Sequence, residues 1–282
     1  MAQNLQLLKR RIKTSKNISQ IAKALEMIAA AKIKKAQNAT QSNKPYADEI
    51  TNLTQKIIAT GSKNAFSHPY LEKRLATKDL LIVISPDRGL CGSLNTNVYK
   101  KLIEIDDSNT KVVTVGKKAA LFASKLSFEL LLTYPMGNAL PDYTLVYELK
   151  NIIDEEIKNG SIATVSILYP DFVSLFTQTP IIKQLLPLQI DGTVEALEDD
   201  TSLLEPGRNN ILEELLPYYL EVQLYNALLV SFTSQQAAQM VAMQNAKNNA
   251  SDIAEYLTLV YNKSRQERIT NEILDLANST KI

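Results

Sequence analysis

The sequence predicts an α/β chain: a long antiparallel coiled coil made from its N- and C-terminal helices, with a central α/β domain between them. Three observations carry this. All 8 Gly and 10 Pro of the 282 residues fall between Pro45 and Pro217, so neither end contains a helix breaker. Both ends carry apolar residues three or four apart, the spacing of one helical face. Between them, short apolar runs alternate with helical patterns, as in a sheet with mostly parallel strands. The expected parts are residues 1–58, a central domain over 75–190, and residues 208–282.

In chain order, the first helix places Leu5, Leu8, Ile12, Ile18, Ile21, Leu25, Ile28, Ile33 and Ala36 on its seam. A repeated three-residue step at Ile18 reads as a local register shift in a coiled coil. Pro45 ends or kinks the helix near Lys44, and a periodic tract over 48–58 resumes it. Residues 79–84, DLLIVI, read as a buried strand, followed by a turn at 85–89 and a helix from Asn95 or Thr96 to Glu104. Residues 111–115 read as a second strand, 117–126 and 145–158 as helices, and 162–169 as a further strand. Residues 172–178 pair with that strand as a hairpin turning at Pro170 and Asp171.

The last helix steps through Ala246, Ala250, Ile253, Leu257 and Val260, then Ile269, Ile273 and Leu276. From Pro217 to Ala277 it reaches roughly 90 Å at ~1.5 Å per residue. That exceeds what a compact domain contains, so part of it projects or is sheathed by another chain. One helix enters the central domain and the other leaves it, so a side-by-side pair is antiparallel. Ala22, Ala29, Ala30, Ala31, Ala246 and Ala250 permit close approach.

Charge is divided within a near-neutral total. Residues 1–35 hold nine basic residues and one acidic, and residues 191–214 hold eight acidic and one basic. The basic helix suits nucleic acid, anionic lipid or an acidic protein loop. It has no interleaved aromatics for base stacking, so an acidic protein partner fits better and nucleic acid is not expected. No apolar stretch of about 18 residues is present to cross a membrane. The N-terminal MAQNLQLLKRRIKTSK lacks the apolar core of a signal peptide.

Little here suggests bond chemistry. One cysteine and one histidine exclude disulfide frameworks and sites needing two imidazoles. The motif SPDRGLCGSLNTN, residues 85–97, lies between a strand and a helix, but its glycine spacing matches no phosphate loop. It reads as a tight connection with a packed cysteine. A Cys91–His68 pair is a weak nucleophile candidate. The acidic pairs Asp199-Asp200 and Glu213-Glu214 read as solvated charge. No cofactor is expected.

Four strings, KALEMIAAAKIKK at 23–35, PDRGLCGSLNTN at 86–97, QQAAQMVAMQNAKNNA at 235–250 and TLVYNKSRQERITNEI at 258–273, closely resemble the γ subunit of F-type ATP synthases. The resemblance spans essentially the whole chain. It implies a non-catalytic rotor whose coiled coil lies inside a ring of three α and three β subunits, catalysis being on β. It also implies a Rossmann-like middle domain at the foot, with the ε subunit and the membrane-embedded c-ring, on the cytoplasmic face of a bacterial membrane.

The resemblance also implies contact residues. Leu25, Glu26 and Met27 face β, and Gln239, Gln266 and Thr270 meet it from the last helix. Glu205 and Pro206 lie in the foot near the c-ring. Charge, not motif, adds Lys9, Lys16, Lys32, Lys34 and Lys35 as partners for acidic β segments. Gln239 stands where many members carry Arg, Leu25 where Met is common, and the Asn278–Ile282 tip is more polar than usual. The residues alone also admit a static coiled-coil scaffold or tether, and an α/β enzyme with helical arms.

Overall fold

A computed structural model of the chain describes residues 2–59, 66–105, 108–188, 205 and 207–279. The acidic stretch through Asp199 and Asp200, Pro206 and the chain end from Thr280 lie outside the described residues. In order, the elements are α1 (Ala2–Ala59), β1 (Lys78–Ile84), α2 (Leu94–Ile103), β2 (Thr110–Val115) and α3 (Lys117–Ala123). They continue with β3 (Glu129–Tyr134), α4 (Tyr143–Lys158), β4 (Ile162–Phe172), β5 (Gln178–Leu186) and α5 (Arg208–Ser279). Two compact units form, one from residues 1–30 with 239–282 and the other from residues 31–238.

The second unit holds a five-stranded sheet in the order β3-β2-β1-β4-β5. β3, β2, β1 and β4 run parallel, and β5 returns antiparallel beside β4. β1 is central because DLLIVI is apolar on both faces, which a strand covered by helices on both sides requires. Leu80, Ile82 and Ile84 join Val165 and Ile167 against α4 (Leu149, Ile153) and α5 (Leu220, Leu224, Leu228). Leu81, Val83, Val112 and Leu168 face α2 (Val98, Leu102) and α3 (Ala119, Ala123). The period of two along each strand assigns alternate residues to the two layers.

Several expectations change. The first helix does not end at Lys44: α1 continues through Pro45 to Ala59 as one helix. Proline inside a helix costs about 3 kcal/mol locally, and burial of Ala47, Thr54 and Ile57 along one face just after it works against that cost. α5 begins at Arg208, the start expected for the last segment, and carries Pro217 inside the helix. Arg208 Nε and Nη2 donate to the carbonyls of Ile57 and Ile58 at 2.9 and 3.1 Å. These are last-turn acceptors of α1 that no helical N–H reaches, so the first residue of α5 caps the end of α1. Thr40 meets Thr233, and Gln223 donates to Thr51, so α1 and α5 run antiparallel here.

The hairpin is also shifted. β4 continues through Pro170 and Asp171 to Phe172, the turn lies at 173–177, and the partner strand is 178–186. Pro170 pairs with Pro180 on the last two strands, where a missing N–H is tolerated. β3 was unread in the sequence. Its ELLLTY is an edge strand with most side chains exposed, and its leucines favour helix as readily as strand.

At the carboxyl ends of the parallel strands, Ser85 N–H donates to Val115 O and Gly116 N–H to Tyr134 O. Gly116 has φ +106°, and a Cβ there would lie 1.9 Å from Ser85 O. Gly116→Ala is therefore expected to lower unfolding free energy by more than about 3 kcal/mol. A denaturant melt checks this, and an unchanged midpoint would remove the close-approach argument.

Lys111 on β2 pairs with Glu156 on α4 at 2.6 Å, both largely buried. Burial works against the Glu156 charge, but hydrogen bonds from Lys111 and Ser161 and the Lys111 and Lys78 charges outweigh it, so its pKa lies below 4.5. A depressed carboxylate adds stability above its unfolded pKa and loses it as pH falls through the folded one. Glu156→Gln is expected to flatten the stability loss on acidification below about pH 4.5, read from melting temperature against pH.

Candidate subunit-contact surface

In residues 1–30 and 239–282 the two helices meet along a regular seam. The less exposed positions of α1 are Leu5, Leu8, Ile12, Ser15, Ser19, Ala22, Glu26 and Ala29, alternating steps of three and four. On α5 the matching series is Met243, Lys247, Ala250, Ala254, Leu257, Tyr261, Ser264 and Arg268, with half-buried Ala246, Ser251, Thr258 and Val260 beside it. This is an unbroken heptad pattern. The expected register shift at Ile18 is absent, because the seam passes through Ser15, Ser19 and Ala22 instead. Ile18, Ile21 and Ile28 lie outside it, as do Ile253, Ile269 and Ile273 on α5. Counting apolar residues alone missed a seam built from small and polar ones.

Ala22, Ala29, Ala250 and Ala254 are buried, which lets the helices approach closely. Ala246 is half-buried, while Ala30 and Ala31 are exposed. Lys247 bridges the seam: its Nζ pairs with Glu26 at 2.8 Å, and its carbonyl accepts Ser19 Oγ–H at 3.2 Å. Glu26 is thus engaged within the chain.

The outer faces carry large apolar residues set among charged and polar ones. Ile21 is 61% exposed, Tyr256 66% and Leu259 70%, and Met27 and Leu274 are also exposed. A groove of about 700 Å³ is lined by Lys16, Ser19 and Gln20 with Ser251, Glu255 and Thr258. A second, about 520 Å³, joins Arg10 and Arg11 to Ile253 and Tyr256. Leu25 is half-buried, and Gln239 is half-buried at the edge of this unit. Gln266 and Thr270 are exposed one turn apart, with Thr270 Oγ1 donating to Gln266 O at 3.0 Å. Lys9, Lys16, Lys34 and Lys35 are exposed, and so is Glu205. Lys32 differs: it donates to Asn138 O and Oδ1 at 2.8 and 2.5 Å.

The 85–97 segment is a packed connection. Cys91 is 2% exposed, lies with Leu94 and Ala238, and its sulfur accepts from Asn95 Nδ2 at 3.3 Å. Burial pushes its thiol above the ordinary value, outweighing the Asn95 hydrogen bond and the Lys118 charge. His68 packs between Phe66 and Tyr70 and accepts the Tyr70 N–H at Nδ1. The two share no partner, so the nucleophile candidate has no base. Glu213 and Glu214 are exposed. Among the described residues no three His, Cys, Asp or Glu converge as metal ligands. The residue the sequence reading passed over is Asp87, whose carboxylate accepts three backbone N–H groups. Its only signal was a position just past the end of β1.

An antiparallel helix pair with large apolar residues exposed among basic ones, in a chain whose other unit is an α/β domain with no converging reactive groups among the described residues, defines a class: a protein that works by contact. The family model described as ATP synthase matches residues 4–281. The ATP synthase gamma chain of Dehalococcoides mccartyi strain CBDB1 is 37% identical over 276 residues, covering 97% of this chain and 96% of that one. Those of Chloroflexus aurantiacus strain J-10-fl and Geobacter metallireducens are 35% and 34% identical, again over at least 95% of both chains. A chain of the Euglena gracilis mitochondrial ATP synthase F1/c-ring structure superposes with a TM-score of 0.72 over 100% of this chain and 95% of that one, at 20% identity. A second, from the rotor of the same enzyme, gives 0.69 over 95% and 100% at 21% identity. These two show a shared fold.

The chain belongs to the ATP synthase gamma chain family. It is the central-stalk subunit of that enzyme and performs no bond chemistry itself. Accordingly, Cys91→Ser is expected to leave ATP hydrolysis by the assembled enzyme within about twofold of the parent, the exchange being a small one in a packed site. The native thiol should react with a disulfide reagent far more slowly than in the unfolded chain. Loss of turnover in a normally assembled complex would point to chemistry at Cys91 after all.

Proposed function

We propose that residues 1–30 and 239–282 turn inside a ring of three α and three β subunits, and that residues 75–190 stand with the ε subunit on the c-ring. In this reading 1–58 and 208–282 form the shaft and 75–190 the foot. The observation that carries it is the set of large apolar residues left exposed on the outer faces, Ile18, Ile21 and Ile28 on α1 and Ile253, Tyr256 and Leu259 on α5. A shaft in water would expose polar side chains there, whereas one in a sleeve presents them to apolar walls. The sleeve must also be acidic in part, to meet exposed Lys9, Lys16, Lys34 and Lys35.

The mechanism is coupling by unequal contact. The two helices differ in sequence, so each β subunit meets a different face. Leu25 and Met27 offer apolar contact, Gln239, Gln266 and Thr270 offer hydrogen bonds, and Glu26 acts through Lys247. Turning the shaft shifts each β subunit only insofar as its conformations bind those faces unequally. Ion flow through the c-ring drives the turn, received by the foot near Glu205 and Pro206. No helix among the described residues is long and apolar enough to cross a membrane, so attachment is peripheral, through the c-ring. The bacterial relatives favour the cytoplasmic face of a cell membrane.

Purification of the intact complex is expected to yield one copy of this chain per three α and three β, and a symmetric dimer without them would overturn the reading. Ile21→Asp and Leu259→Asp touch no core, so each should change the stability of the chain by under about 0.5 kcal/mol. Each should nonetheless weaken assembly with α and β about tenfold or more, as loss of a buried apolar contact does.

A further inference from the structure

Asp87 stands just beyond β1, where the carboxyl ends of β1, β2 and β3 come together. Its Oδ1 accepts Lys117 N–H at 2.9 Å and Met136 N–H at 3.3 Å, and its Oδ2 accepts Gly137 N–H at 2.9 Å. One carboxylate therefore binds the start of α3 and the turn after β3 to the end of β1. Hydrogen bonds to an ionised acceptor are about twice as strong as neutral ones. The turn it holds, 136–138, is the one that receives Lys32. Lys32 lies on α1, and both its acceptors belong to Asn138. Burial opposes the Lys32 charge, and Arg88 is close enough to oppose it further. The ammonium is thus held against a like charge by amide oxygens, in a defined place on the sheet edge.

Resting on the rotor reading above, we propose that Asp87 is a positioning residue for torque: it stiffens the 136–138 turn so that Lys32 latches α1 to the sheet. Gly137, with φ +74°, lets the turn present two successive N–H groups to one carboxylate. Without Asp87 the turn keeps the buried Met136 side chain but loses both of the hydrogen bonds that fix its backbone to the end of β1, and Lys117 loses the third. Without Lys32, α1 lacks its hydrogen bond to this edge. Both losses interrupt the same path, α1 to turn to sheet, and so do not add.

The test uses the whole enzyme in inside-out membrane vesicles and reads the ion gradient formed per ATP hydrolysed. Lys32→Met and Asp87→Ala are each expected to lower that ratio at least about twofold, and the double variant no further than the worse single. A side chain serving only the stability of the fold would reduce the amount of assembled enzyme and leave the ratio intact. A parent-like ratio in both single variants, or full additivity in the double, overturns the proposal. Should Asp87→Ala fail to assemble, Lys32→Met decides by itself, because it keeps the aliphatic stem and removes only the ammonium. A parent enzyme that forms no gradient, or holds no copy of this chain, overturns the rotor reading and this proposal with it. A coupled parent with unaltered variants overturns the latch alone.

Discussion

Close packing of small side chains between α1 and α5 governs what the helix pair can be. Ala22, Ala29, Ala250 and Ala254 bring the backbones together, and Ser15 and Ser19 occupy seam positions where a stable coiled coil carries leucine. Such a seam buries little apolar area, so it contributes less than a leucine seam would at about 25 cal/mol per Å². The large apolar residues are placed outside. The pair is narrow and leaves large apolar residues exposed among charged ones, two properties that suit a shaft completed by its housing. The Glu26–Lys247 pair sets the register where apolar packing is too uniform to do so.

Residues 31–238 follow a different rule. There the same two helices lie against a sheet with apolar residues on both faces, and α5 is buried all round from Ser231 to Ala238. Its Ser231, Thr233, Ser234, Gln235 and Gln236 are buried polar residues. The contrast between this stretch and the exposed residues beyond Gln239 follows from the surroundings of a single continuous helix.

Much of this was legible in residues alone. DLLIVI and IATVSILY could only be buried strands, and the confinement of Gly and Pro to 45–217 marked both long helices. The errors share a cause: local rules were overruled by tertiary packing. Pro45 breaks an isolated helix, but here buried Ile33 and Ala36 before it and Ala47, Thr54 and Ile57 after it hold both sides in place. The edge strand β3 lacks the burial that makes a strand readable. The seam was misplaced because periodicity was sought among large apolar residues, whereas the helices meet through alanine and serine. Asp87 could not be found from its neighbours in sequence, since its partners Lys117, Met136 and Gly137 arrive 30 to 50 residues later.

Arg208 holds the final carbonyls of α1 and is itself the first residue of α5. The chain therefore leaves the helix pair and returns to it at one point, although about 150 residues intervene. Topologically the α/β part is an insertion at the bend of a helical hairpin. A bend closed by its own guanidinium cap does not depend on the length or content of what is inserted. Loops of the inserted domain that touch neither helix can lengthen or shorten while the helix ends stay joined, whereas the strands that pack on Ile57 and Leu220 cannot, which separates the constraint on those loops from the constraint on the bend.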